Sequence, residues 1–355
     1  MLHQEQQNSN ASKMDGELDN NTNDGLVDSH HDDTNIRNRR KLQYSTAAVQ
    51  QQQQAVQHSI VNIIPAATKA PKETLIAIYS AGKYKANLTL NVLAIQSFMA
   101  GIYIASAGQL FLAVGGGVLG AALFPGGLIA VILTSAELFT GDALIFVASV
   151  LGGQVKLKSL LRNWTVSWIS NFLGCLSWAY VISYLSNALV DMDAQELAVK
   201  VAEKKALNEM YSIFIKGIGA NFMVCVAVWQ GTCAQEVAGK ILALWFPTAA
   251  FVMMGFDHVV ANMFLIPIGM MLGANVSVGR MFAALMMATL GNIVGGGLFV
   301  GAVYWYVFDS MASQTIDGLA TRMRESVRRL SVRNLTRSSA AFPSEEEEVN
   351  DDEKV

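Results

Sequence analysis

Between Lys240 and Arg280 the titratable side chains are Asp257 and His258, adjacent to each other in the stretch GFDHVVANMF (255–264). A carboxylate at the centre of a bilayer costs about 2.5–3.5 kcal/mol, and an imidazole exchanges a proton near neutral pH. In a soluble core a lone histidine is most simply a hydrogen-bonded filler. Inside a membrane segment an ionisable group is a candidate for function, so His258 is assigned proton chemistry. Asp257 is assigned the holding of the backbone, because it would repel an anion. A second polar group occupies TSAELFTGDAL (134–144), with Glu137, Thr140 and Asp142. Thr140 and Asp142 are expected to cap a half-helix, whose N-terminus draws anions, and Thr140 adds a hydroxyl donor. Glu137 is expected to satisfy backbone, as is Asn262 beside the second group.

These residues need elements to carry them. The chain is 52% hydrophobic and 15% charged, against about 25% charged for soluble domains. The apolar residues are segregated into six segments, at 88–113, 118–150, 164–190, 211–230, 241–273 and 282–308. A helix needs about 20 residues to cross the hydrocarbon core, so the expected fold is an all-α integral membrane protein with six transmembrane helices. The second and fifth segments are too long for one straight span and too short for two. Gly141 interrupts the second and Gly255, Pro267 and Gly269 the fifth. Both are read as broken helices, tolerated where protein or a water-filled cavity covers the freed backbone.

The flanks orient the spans. Lys69, Lys72, Lys83 and Lys85 precede the first, Lys156, Lys158 and Arg162 lie between the second and third, and arginines from Arg322 to Arg337 follow the sixth. By the excess of Lys and Arg in cytoplasmic loops, both termini are expected in the cytoplasm. Residues 1–69 form the N-terminal tail, 70–310 the membrane domain and 311–355 the C-terminal tail. The expected address is the plasma membrane, with an organelle membrane as the alternative.

The halves resemble each other in order: FMAGI (98–102) with FIKGI (214–218), the pair FP at 124 and 246, and SNFLG (170–174) with GNIVG (291–295). A duplicated three-span unit must insert its second copy upside down, as an inverted repeat. The broken spans then occupy matching positions, which points to a binding site where the breaks meet. Asn221 and Asn292, amides in apolar spans, either tie helices together or line the path. Cys175, Cys225 and Cys233 lack metal-ligand spacing, and neither a metal nor a cofactor is expected.

FPGGLIAVILTSAELFTG, GIGANFMVCVAVW, GFDHVVANMF and TLGNIVGGG resemble the signature segments of the formate/nitrite transporter family, in order over roughly residues 70–310. The resemblance implies an aquaporin-like fold, a homopentamer and a pore through each protomer. It places the family's loop threonine on Thr140, its pore histidine on His258 and its span-four asparagine on Asn221. Two apolar constrictions fall on Phe124, Leu128, Leu138, Phe139 and Phe251, and a vestibule lysine on Lys205, with Lys204 adjacent. Asp142 departs from the Asn or Ser that many members carry.

The expected partners are therefore small monovalent anions (formate, nitrite, with lactate or acetate as further candidates), protons, membrane lipid and further copies of the chain; nucleic acid is not expected. Apolar rings exclude bare ions because dehydration is costly, whereas a protonated weak acid crosses cheaply. Lys204 or Lys205 would draw the anion in, and His258 or water touching it would supply the proton. The alternative is pH-gated anion conduction without proton coupling. A water or glycerol channel would need paired Asn-Pro-Ala boxes, and an intramembrane enzyme a nucleophile–base pair or metal cluster; the chain shows neither pattern. In the C-terminal tail Leu319, Met323, Val327 and Leu330 recur at helical spacing among arginines, which fits a helix on anionic lipid. Ser331 and Thr336 follow basic residues in a pattern suited to phosphorylation.

Overall fold

The computed structural model describes residues 49–53, 67–189, 191–309 and 321. The tail helix expected around residues 319–330, with Ser331 and Thr336, lies outside them apart from Thr321. The chain divides into compact units at 1–65 and 66–355, and the second carries the helices that follow. Among the described residues the structure is helical, apart from one isolated antiparallel bridge between Thr68 and Ala234.

Helix α1 (Pro71–Ala86) starts on a proline, which needs no N–H in a first turn, and Glu73 accepts from the Ala70 N–H. The apolar α2 (Leu90–Ala113) ends in the glycine turn 115–117, whose φ values of 79°, 69° and 59° suit residues without a Cβ. Short α3 (Gly117–Leu123) and α4 (Pro125–Leu133) run up to a non-helical stretch at 134–138, and α5 (Phe139–Leu151) resumes after it. Helix α6 (Leu157–Ser177) continues as a π-helical stretch, Trp178–Leu185.

The same order recurs as α7 (Met192–Leu207), α8 (Met210–Cys233), α9 (Val237–Met253), a non-helical stretch at 254–258, α10 (Val259–Met271) and α11 (Val278–Asn292). A second π-helical stretch, Ile293–Ala302, and α12 (Val303–Phe308) close the unit. Helices α2 and α8 begin at 90 and 210, and α5 and α10 at 139 and 259, a spacing of 120 in each case. The match of FMAGI with FIKGI, at a spacing of 116, is therefore about one helical turn out of register.

The helices α2, α8, α6 with its π-helical continuation, and α11 with the segment after it are long and apolar enough to cross a membrane. The remaining apolar helices, Gly117–Leu133, Phe139–Leu151, Val237–Met253 and Val259–Met271, are shorter. Three of the four expected breakers lie inside helices. Gly141 lies inside α5, and Pro267 and Gly269 lie inside α10; of the expected breakers, only Gly255 sits in a non-helical stretch. There Gly255 has φ 70°, and Ser135 adopts φ 57° at the matching place.

Helix α2 packs along α6, and α8 along α11. A Cβ on Gly174 would stand 2.1 Å from the Phe98 carbonyl oxygen, and one on Gly295 2.1 Å from that of Ile218. The backbones meet there without side chains between them. The last residues of the two non-helical stretches, 136–138 and 257–258, are buried.

Candidate functional site

Each non-helical stretch is held by an asparagine from a neighbouring helix. Asn171 on α6 accepts from the Phe139 N–H (3.0 Å) and donates to the carbonyls of Ser97 (2.6 Å) and Glu137 (3.0 Å). Asn292 at the end of α11 accepts from the Val259 N–H (2.9 Å) and donates to the carbonyls of Gly217 (2.8 Å) and Asp257 (2.9 Å). Both are fully buried, and each satisfies a first-turn N–H that its helix leaves unpaired. Asn221 donates to the carbonyls of Thr140 (3.1 Å) and Asn292 (2.7 Å). Asn221 and Asn292 thus spend their amides on backbone and serve as ties between elements.

Held this way, the first turn of α5 meets the end of the second stretch. Thr140 Oγ1 and His258 Nε2 are 2.9 Å apart, and both side chains are buried. His258 is also the N-cap of α10, its Nδ1 accepting from the Ala261 N–H at 3.0 Å. Because Nδ1 is an acceptor, the neutral imidazole carries its proton on Nε2 and donates it to Thr140. The expected caps are thereby reassigned. Thr140 and Asp142 lie within the first turn of α5 while Leu138 occupies its N-cap, and His258 rather than Asp257 caps α10.

Two cavities approach this pair. One, of about 360 Å³, is lined by Lys204, Lys205, Phe124, Phe251, His258 and Asn262 among others. The other, of about 190 Å³, is lined by Lys85, Glu137, Asp142, Leu128 and Leu138 among others. The Phe124 and Phe251 rings meet edge to face with centroids 6.2 Å apart, and Phe251 stacks on His258 at 5.6 Å. Of the residues expected at constrictions, Phe124 and Phe251 border the first cavity and Leu128 and Leu138 the second. Phe139 instead meets Trp164 edge-on at 5.9 Å and lines a separate apolar recess.

Each cavity has a lysine whose side chain is mostly covered. Lys205 Nζ donates to the carbonyls of Gly255 (3.1 Å) and Phe256 (2.7 Å) and lies 3.0 Å from Asp257 Oδ1, which also accepts from Asn262 (3.1 Å). Burial pulls the Lys205 ammonium below the usual lysine range, and Asp257 restores it only in part. Lys85 Nζ lies 2.6 Å from Glu137 and 2.9 Å from Asp142. Burial works against its charge too, yet Asp142 and Glu137 outweigh burial and hold Lys85 above the ordinary range. The sequence had marked Lys85 only as a positive flank; its spacing of 120 from Lys205 was the available signal.

A helical unit with apolar spans and two lysine-bearing cavities parted by apolar side chains has the form of a membrane channel or carrier. The model of the formate/nitrite transporter family matches residues 72–306. A probable formate transporter of Methanothermobacter thermautotrophicus is 35% identical over 266 residues, covering 68% of this chain and 97% of its own. Formate-nitrite transporter 3 of Toxoplasma gondii is 35% identical over 257 residues, covering 67% of this chain and 51% of its own. Among solved structures, a pentameric formate channel with formate bound matches with a TM-score of 0.54 and 30% identity, over 62% of this chain and 97% of that one. The chain belongs to the formate/nitrite transporter family. It is an integral membrane protein of a family of transporters and channels, not an enzyme.

Proposed function

We propose that the chain carries small weak-acid anions, formate and nitrite foremost and lactate or acetate as candidates, across a membrane together with a proton. The observation that carries this reading is the 2.9 Å contact of Thr140 with His258, buried between two cavities that each hold a lysine. The names of the relatives, a probable formate transporter and a formate channel with formate bound, support the substrate class. We read 134–138 and 254–258 as breaks in the second and fifth of six spans of an inverted repeat. The recurrence of helices and asparagine ties at a spacing near 120 supports that reading. The protomer assembles with copies of itself as a pentamer, with lipid around it and both termini in the cytoplasm.

The ammonium groups of Lys204 and Lys205 draw the anion into the larger cavity. Phe124, Phe251, Leu128 and Leu138 oppose a bare ion, because its hydration must be left behind. A neutral acid meets no such cost. His258 Nδ1 is occupied by the Ala261 N–H, so charging the ring would break the cap of α10. Water in the lysine cavity is therefore the source of the proton, and neutral His258 holds Thr140 so that its hydroxyl proton faces the passing acid. Net movement is anion plus proton, down their combined gradient.

The test is uptake of formate, nitrite, lactate and acetate into proteoliposomes of the purified chain, with internal pH and current recorded. Uptake should acidify the interior without net current. Current without acidification would overturn proton coupling, and no uptake of any of the acids would overturn the substrate class.

A further inference from the structure

The two lysine clusters share one plan and differ in charge at one position. In the second half Lys205 meets the Asp257 carboxylate, and the Asn262 amide donates to it at 3.1 Å. In the first half, 120 positions earlier, Lys85 meets Glu137, and the place of Asn262 is held by Asp142, whose Oδ1 is 2.9 Å from the same ammonium. An amide can donate to a neighbouring carboxylate; an ionised aspartate cannot. Yet both carboxyl groups close on the one Lys85 ammonium, at 2.6 and 2.9 Å. Glu137 and Asp142 are 0% and 1% exposed, and Asp142 Oδ2 has no partner.

The remaining groups bring no second cation. Asn163 on α6 donates to Glu137 Oε2 at 3.0 Å and is neutral. Tyr84 on α1, Ser135 in the non-helical stretch and Thr232 on α8, which also line the cavity, are uncharged. Among the described residues lining it, the charges are one ammonium and two carboxylates. Two ionised carboxylates so placed repel each other and leave an uncompensated buried charge. One proton removes both problems, and its O–H supplies the donor that Asn262 supplies in the other half.

We propose that Asp142, sharing one proton with Glu137 beside Lys85, is a proton-exchanging carboxylic acid that sets anion entry from the smaller cavity. It rests on the transport reading given above. With the proton on, the cluster is neutral, as the Lys205–Asp257–Asn262 cluster is. When the Asp142 O–H bond breaks, the proton passes to cavity water, the cluster becomes net negative, and the anion is repelled.

Infrared spectroscopy of the purified full-length protein at neutral pH tests this without transport. Wild type should show a protonated-carboxyl absorption that is lost in Asp142→Asn, the residue type that the other half carries at this place. It should also be lost in Glu137→Gln, which removes the like charge, so the result survives if one variant fails to fold. Identical protonated-carboxyl absorption in wild type and the folded variants overturns the proposal. In proteoliposomes, Asp142→Asn should lose one step of the pH profile and exceed wild type in formate uptake at alkaline pH. An unchanged profile overturns the role in entry. Loss of the absorption in a protein that moves no weak acid would overturn the transport reading and leave the proton site standing.

Discussion

Thr140 and His258 are 118 positions apart in the chain and 2.9 Å apart in the molecule. The ring serves two elements at once, because Nδ1 caps α10 while Nε2 reaches α5.

These two tasks separate by substitution. His258→Asn keeps a side chain that caps well, so the fold should persist while uptake falls, because the Nε2 proton no longer holds Thr140. Unchanged formate uptake in proteoliposomes would remove the histidine from the mechanism. Thr140→Val leaves the Nε2 proton buried without an acceptor, at about 1–3 kcal/mol. Both thermal stability and uptake should fall, and Thr140→Ser, which returns a hydroxyl, should recover most of each.

Replacing the asparagine ties should act on folding before transport. Asn171→Leu strands the Phe139 N–H and deprives two carbonyls of their donor. Asn292→Leu does the same at Val259. At about 1–3 kcal/mol for each unsatisfied buried group, either change reaches several kcal/mol, a large share of a typical stability. Asn221→Leu removes donors from two carbonyls but strands no N–H, so it should be milder. The yield of monodisperse protein and its melting temperature in detergent check the order.

What the sequence showed and what it hid follow from how each signal arises. Segment lengths and polar residues in apolar runs located Thr140, His258 and their neighbourhoods, because a charge in such a run stands out. The positions of the interruptions were misread at Gly141, Pro267 and Gly269, since helices inside a membrane protein tolerate glycine and proline when neighbours cover the backbone. Lys85 was hidden because its partner Glu137 is 52 positions away and a flanking lysine signals only orientation. Asn171 sat in the quoted match SNFLG, opposite Asn292 in GNIVG, so the repeat alone could have found it. The resemblance puts Phe139 at a constriction; in the first turn of α5 its ring meets Trp164 edge-on, a contact that the linear sequence does not encode.

The glycine contacts give a prediction independent of the polar site. Gly174→Ala and Gly295→Ala would each put a methyl 2.1 Å from a backbone carbonyl oxygen, and backbone cannot swing aside as a side chain can. Helix α2 must then separate from α6, and α8 from the π-helical stretch that follows α11, at a cost of about 1–3 kcal/mol or more. Gly126→Ala, where nothing lies within 4 Å of the added carbon, is the control and should unfold like wild type in a thermal scan.

The Lys205–Asp257 pair separates attraction of the anion from support of the fold. Lys205→Met leaves the Asp257 carboxylate buried against Asn262 alone among its charged and amide neighbours, and breaking a buried pair from one side typically costs about 3–5 kcal/mol. Asp257→Asn leaves the ammonium without its carboxylate, although the Gly255 and Phe256 carbonyls still accept from it. The double variant Lys205→Met/Asp257→Asn removes both charges, so its stability should exceed that of Lys205→Met and a double-mutant cycle should give a positive coupling. Formate uptake should behave differently. The double variant keeps Lys204 but loses the second ammonium lining the larger cavity, so uptake should stay below wild type even where the melting temperature recovers. Recovery of uptake together with stability would show that Lys205 only braces the 254–258 stretch and that the anion is drawn in by other means.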